Sequence, residues 1–154
     1  LETIYYAKPK LTDIPQMQSV VAKEVQEGII LPRSADEMAT NIRSYIVAKS
    51  QERIVGYVAL HIHSITLAEI RSLIVAEELR GRGIGKELVI RALEEGKDLA
   101  VKEVLALTYN KEFFERLGFF EIQKSEIPEH KIWQDCIKCK HFPVCNEVAM
   151  MYRL

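Results

Sequence analysis

The chain has 154 residues, 48% of them hydrophobic, and a formal net charge of −1. That length and apolar content support one domain with a buried core, and a charge so close to zero argues against a general nucleic-acid or membrane surface. No apolar run approaches a membrane span, the start Leu1-Glu2-Thr3-Ile4-Tyr5-Tyr6 lacks the basic and apolar regions of a signal peptide, and three cysteines do not suggest a secreted disulfide framework, so a cytoplasmic protein is expected.

Ile4 to Ala7 is β-prone and reads as a first strand. Thr12 is placed to cap a helix with Asp13 and Pro15 in its first turn, and Ile14, Met17, Val21 and Val25 form its apolar stripe. Gly28 ends that helix, and Ile29 to Arg33 follow as a loop. Ser34 caps a second helix from Ala35 to about Ile42. Tyr45 to Ala48 and Arg53 to His61 read as a hairpin joined by Lys49-Ser50-Gln51-Glu52. His61 and His63 fall on one strand face and are assigned no role, because sheet histidines are more often packing or surface residues.

Ile65 to Val75 is the next predicted strand, and it runs into a Gly-rich turn. A long helix follows to about Ala100, with Gly85, Leu88, Val89, Ala92, Leu93 and Gly96 at helical spacing. Val104 to Leu107 reads as a buried strand, Asn110 to Leu117 as a short helix ended by Gly118, and Phe119 to Gln123 as a strand. An irregular stretch leads to a last strand, Asn146 to Arg153. This mixture predicts an α+β fold with a mainly antiparallel sheet and one parallel crossover, as a single domain over residues 1–154.

The turn Arg80-Gly81-Arg82-Gly83-Ile84-Gly85-Lys86 is the part of the chain with the clearest chemistry. Glycines allow positive φ and close ligand approach. A helix opening directly after them presents free N–H groups and the positive end of its dipole. With Arg80, Arg82 and Lys86 added, the segment suits a polyanion, most simply a pyrophosphate. An ordinary strand–turn–helix with solvated basic residues is the poorer explanation of three alternating glycines interleaved with arginine. The spacing is neither that of a Walker loop nor that of a dinucleotide-binding fingerprint.

Arg80-Gly81-Arg82-Gly83-Ile84-Gly85 resembles motif A of the GNAT N-acetyltransferases, [RQ]-x-x-G-x-[GA], at every fixed position. The predicted element order coincides with GNAT topology over essentially the whole chain. The resemblance implies a sheet with splayed central strands, acetyl-CoA as cosubstrate, and a cofactor site formed by Leu73, Ile74 and Val75 with Arg80, Gly81, Arg82, Gly83, Ile84, Gly85 and Lys86. It also implies backbone N–H groups near Ile74 and Val75 as oxyanion donors, and it leaves a homodimer open, since GNAT domains often dimerise.

Acetyl transfer to an amine needs a base for the amine, a donor for the carbonyl oxygen and a proton for the leaving thiolate. Ala68-Glu69-Ile70-Arg71-Ser72-Leu73 resembles the strand on which GNAT histone acetyltransferases carry a glutamate base, which makes Glu69 the candidate base acting through water; the alternative is a strand carboxylate paired with a cation. Many GNATs carry a tyrosine acid four residues before the Gly-Phe of the last helix turn, but here that position is Phe114, kept as a cofactor-contact candidate. Tyr109 or water is the substitute acid, and Asn110 is a candidate to hold the CoA arm. Arg33, Arg71, Lys131 and Trp133 are the candidate acceptor residues, and three cations around one acceptor suggest a carboxylate-bearing amine.

The segments Gly28-Ile29-Ile30-Leu31-Pro32-Arg33-Ser34, Leu67-Ala68-Glu69-Ile70-Arg71-Ser72-Leu73, Ala106-Leu107-Thr108-Tyr109 and Lys131-Ile132-Trp133-Gln134-Asp135-Cys136 resemble the short, single-domain bacterial N-acetylglutamate synthases. That resemblance implies L-glutamate as acceptor in arginine biosynthesis, with direct attack and no acyl-enzyme. The rivals are a GNAT for another small amine or amino acid, and a non-catalytic acyl-CoA sensor. Within a Cys-containing insertion over 124–145, Cys136, Cys139 and Cys145 with His141 are candidate ligands of a structural zinc; three reduced thiols or an adventitious disulfide are the alternatives.

Overall fold

Apolar residues alternate through two neighbouring runs, and the computed structural model folds them into a hairpin, β2 (Tyr45–Ser50) and β3 (Arg53–Ile62), with Tyr45 opposite Ala59 and Val47 opposite Tyr57. The structure describes residues 3–127 and 147–154. Its strands follow the order β1-β2-β3-β4-β5-β7-β6 in one mixed sheet, and the chain divides into two units.

The first unit comprises residues 1–61 and 70–95. β1 (Ile4–Ala7) pairs antiparallel with β2, from Ile4 opposite Ser50 to Ala7 opposite Val47. Three short helices cover one sheet face: α1 (Ile14–Val20), α2 (Ala22–Gln26) and α3 (Ala35–Thr40). Their apolar stripe closes a core of Ile14, Met17, Val21 and Met38 against Tyr45, Val47, Ile54, Tyr57 and Ala59. Burying this set is the main stabilising term, at about 1.5–3 kcal/mol for each large side chain.

Two helix boundaries differ from the sequence reading. The single helix expected from Thr12 to Gly28 is broken at Val21, which has φ −108 and ψ 8. Val20 and Val21 are adjacent β-branched residues with weak helix propensity, and Val21 is buried in the core. Thr12 lies in a 3-10 turn, and Asp13 takes the cap position of α1, with its carboxylate accepting from Lys10 N at 2.7 Å. Ser34 caps α3 as expected, its Oγ accepting from Glu37 N at 3.1 Å.

β4 (Leu67–Val75) begins two residues later than predicted. Ser64 Oγ accepts from Thr66 N and Leu67 N, which holds Ile65 out in a turn. The strand is buried from Leu67 to Ile70 and half-buried from Arg71 to Val75. Within the half-buried part Ser72 takes φ 56, a left-handed conformation uncommon for a residue with a Cβ. In the first unit β3 and β4 approach closely at Gly56, where a Cβ would meet Ile74 O at 2.7 Å. α4 (Ile84–Asp98) buries Leu88, Val89, Ala92, Leu93 and Gly96 of the predicted stripe, with Ile84 in addition, and leaves Gly85 half-buried.

The second unit comprises residues 62–69 and 96–154. β5 (Glu103–Thr108) and β6 (Phe120–Ile122) both pair antiparallel with β7 (Val148–Arg153). Leu67, Leu105, Ile127, Ala149 and Met151 form its core. α5 (Lys111–Arg116) adds a row of ring contacts running Phe113, Phe114, Phe119, Tyr152, with centroids 5.0–5.2 Å apart.

Candidate active site

In the first unit, the turn before α4 has the backbone its glycines predict. Gly81 and Gly83 sit at φ +82 and +81, and a Cβ built on either would meet nothing within 4 Å. The main chain there faces open space, and α4 opens at Ile84 with its early N–H groups available. Arg82 and Lys86 are exposed on the same short segment. This is a backbone cradle with two free-standing positive charges beside it, and it fits a pyrophosphate.

Arg80 makes contacts within the protein. Its Nε donates to Val75 O at 3.1 Å, and a terminal nitrogen lies 3.2 Å from Glu24 Oε1. The side chain therefore ties the end of β4 to α2. Two further pairs reinforce this corner, Lys23 with Glu77 at 3.2 Å and Arg53 with Glu78. The Arg53 hydrogen bond holds the Glu78 carboxyl below its usual range. Arg80 thus shapes the loop, and the charges beside its open backbone are Arg82 and Lys86.

Arg33 and Arg71 also belong to the first unit. Burial raises the Tyr45 hydroxyl above its ordinary pKa, and both guanidinium groups pull it back down. Two cations distant in sequence thus act on one phenol. Burial pushes Tyr57 up to about 12, with Arg33 again opposing. The two rings meet edge to face at 5.7 Å, which fixes the phenols as a rigid pair.

In the second unit, Glu69 is 5% exposed and is the buried charged residue among the described residues. Its Oε1 lies 2.8 Å from His63 Nε2, and the two side chains are 6% and 2% exposed. Tyr109 is 66% exposed. The Asn110 side chain caps α5 by accepting from Phe113 N at 3.3 Å. Phe114 is buried in the aromatic row. Lys131 and Trp133, and the zinc candidates Cys136, Cys139, His141 and Cys145, lie outside the described residues. Among the described residues no group of three His, Cys, Asp or Glu could hold a metal ion, and no helix is long and apolar enough to cross a membrane.

The family model described as "Acetyltransferase (GNAT) family" matches residues 13–119. The chain belongs to the GNAT acetyltransferase family. An uncharacterized N-acetyltransferase of Chlorobaculum tepidum is 39% identical over 94% of this chain and 93% of its own length. An amino-acid acetyltransferase of Mycobacterium tuberculosis is 30% identical over 78% of this chain and 70% of its own. Among solved structures, a Mycobacterium tuberculosis protein in complex with CoA and NLQ superposes with a TM-score of 0.83 at 25% identity, covering 97% of this chain and 99% of that one. An N-acetylglutamate synthase of Neisseria gonorrhoeae shares the fold, with a TM-score of 0.86 at 20% identity over all of this chain and 36% of its own.

As a GNAT enzyme, the chain is an N-acetyltransferase with the α+β fold expected of the family. Sequence reasoning passed over three features of its site. Ser72 carries the left-handed backbone of β4, and a serine gives no signal for that. His63 meets Glu69 only because the turn at 63–66 reverses the chain. Glu24 meets Arg80 across 56 positions. Ser64, a turn former three residues after the strand-like run that ends at His61, was the one visible hint of the reversal that sets His63 in place.

Proposed function

We propose that this chain transfers the acetyl group of acetyl-CoA to the α-amine of L-glutamate, the N-acetylglutamate synthase reaction of arginine biosynthesis. The observation that carries the acceptor is the action of Arg33 and Arg71 on one buried phenol, Tyr45. Two cations whose charges both reach this phenol suit an acceptor that carries carboxylates. A polyamine would be repelled there. The 30% identical relative named amino-acid acetyltransferase supports an amino acid as acceptor, and the CoA-bound structural relative supports the cosubstrate.

In this reading the open backbone from Gly81 to Gly85, with Arg82 and Lys86, holds the pyrophosphate, and Leu73 to Val75 lie along the pantetheine arm. Arg80 keeps that loop in shape through Val75 O and Glu24. Glu69 takes a proton from the ammonium group through water. The freed amine attacks the thioester carbonyl, and backbone N–H groups at Ile74 and Val75 receive the charge on its oxygen. The new C–N bond forms, the attacking nitrogen gives up its second proton to water, the C–S bond breaks, and the thiolate regains a proton from water or Tyr109, because Phe114 has none to give. No acyl-enzyme is required.

The test is free-thiol release from acetyl-CoA with glutamate, glutamine, aspartate and a polyamine as acceptors. Release with glutamate well above the others supports the reading. Release with a different acceptor replaces glutamate and leaves the acetyl-CoA site standing.

A further inference from the structure

We propose that His63 is a positioning residue for Glu69: its Nε2–H donates to Glu69 Oε1 and holds the carboxylate in the orientation from which it takes the proton. The inference rests on the reading of Glu69 as the base. Sequence inspection gave His63 no role, and it lies one residue beyond the end of β3.

A carboxylate stripped of water favours its neutral form unless donors replace the lost hydration. Glu69 has only 6% of its side chain exposed, so a nearby donor decides what it can do. At 2.8 Å the imidazole contact has the length of a charge-assisted hydrogen bond. An ionised carboxylate can only accept, so Nε2 must carry the hydrogen, whether the ring is neutral or charged.

The ring is itself held firmly. His63 N donates to Leu67 O at 2.9 Å, and Ser64 Oγ accepts from Thr66 N and Leu67 N at 3.2 and 3.1 Å. This turn anchors His63 to the start of the strand that bears Glu69. A side chain only 2% exposed cannot swing to an alternative rotamer without displacing its neighbours. The pair therefore resembles a metal-ligating histidine with its carboxylate in reverse: the carboxylate does the chemistry and the imidazole orients it.

The experiment compares Glu69→Gln, His63→Leu, His63→Gln and the double variant His63→Leu/Glu69→Gln in the full chain. It reads kcat and KM by thiol release, CoA affinity by calorimetry, and the melting temperature. Glu69→Gln should lose about a hundredfold or more in kcat, as for removal of a general base. His63→Leu should lose about 10–100-fold in kcat with KM for acetyl-CoA unchanged, the usual effect of removing an orienting partner. His63→Gln, whose amide can donate from nearly the same place, should recover most of that loss. The double variant should be no slower than Glu69→Gln alone, because the ring acts only through the carboxylate.

Wild-type kcat in His63→Leu, or equal losses in the Leu and Gln variants, overturns the proposal. Unchanged kcat in Glu69→Gln instead defeats the reading of Glu69 as base, so the two failures are distinct. Nitrogen-resolved NMR of the histidine rings in the unaltered protein gives a check that needs no stable variant: His63 should show a slowly exchanging, downfield Nε2–H that shifts in Glu69→Gln. A ring protonated at Nδ1 alone would refute the assignment.

Discussion

The Arg80–Lys86 loop and the His63–Glu69 pair are built on opposite principles. The loop is exposed and works through its main chain: two glycines at positive φ, the start of a helix and two solvated cations. The pair is buried and meets through side chains, Glu69 Oε1 lying 2.8 Å from His63 Nε2. Water screens the first, so any single charge there counts for little. Low dielectric amplifies the second, so losing a single donor there has a large effect. Binding an anion tolerates a distributed site, whereas removing a proton demands one oriented group.

That contrast makes its own tests. The largest effect should come from Glu69→Gln, with kcat down about a hundredfold or more and CoA affinity unchanged; a parallel loss of CoA affinity would erase the distinction between the two regions. Arg71→Ala should raise KM for glutamate about 10–100-fold, the range for losing a charged hydrogen bond, and leave KM for acetyl-CoA alone. Equal changes in both constants would remove Arg71 from the acceptor site.

Gly83→Ala comes next. A Cβ at φ +81 costs about 1–2 kcal/mol, so KM for acetyl-CoA should rise about tenfold if the loop must keep this shape to bind. A variant with normal KM and a lower melting temperature would show that the glycine serves stability alone. Arg82→Ala and Lys86→Ala should each raise KM for acetyl-CoA only several-fold, with the difference from wild type shrinking as salt is added. The smallest effect is expected from Glu24→Ala. It frees one end of Arg80 and should cost about 1 kcal/mol in stability, because the Arg80 partner keeps 54% of its side chain in water. A kcat loss there would mean that the clamp reaches the chemistry.

Legibility in the sequence follows the same divide. The Gly-rich turn could be read because glycine spacing and helix start are local facts. So could the Ser34 cap and the stripe of α4. The long first helix was misread because its apolar spacing is helical throughout, while the break at Val21 is decided by packing against β2 and β3. Asn110 caps α5 through Phe113, a local contact, whereas the packing of Phe114 against Phe119 depends on the fold.

By itself, the sequence determined the element order, the polyanion loop and the position of a strand glutamate, because each is written in residues close along the chain. Only the tertiary structure decided that Glu69 is buried, that His63 is its partner, that Arg80 turns back to Glu24, and that Arg33 and Arg71 act on one phenol. Burial and long-range pairing are properties of the packed chain, and they set the dielectric around Glu69 and the groups it meets.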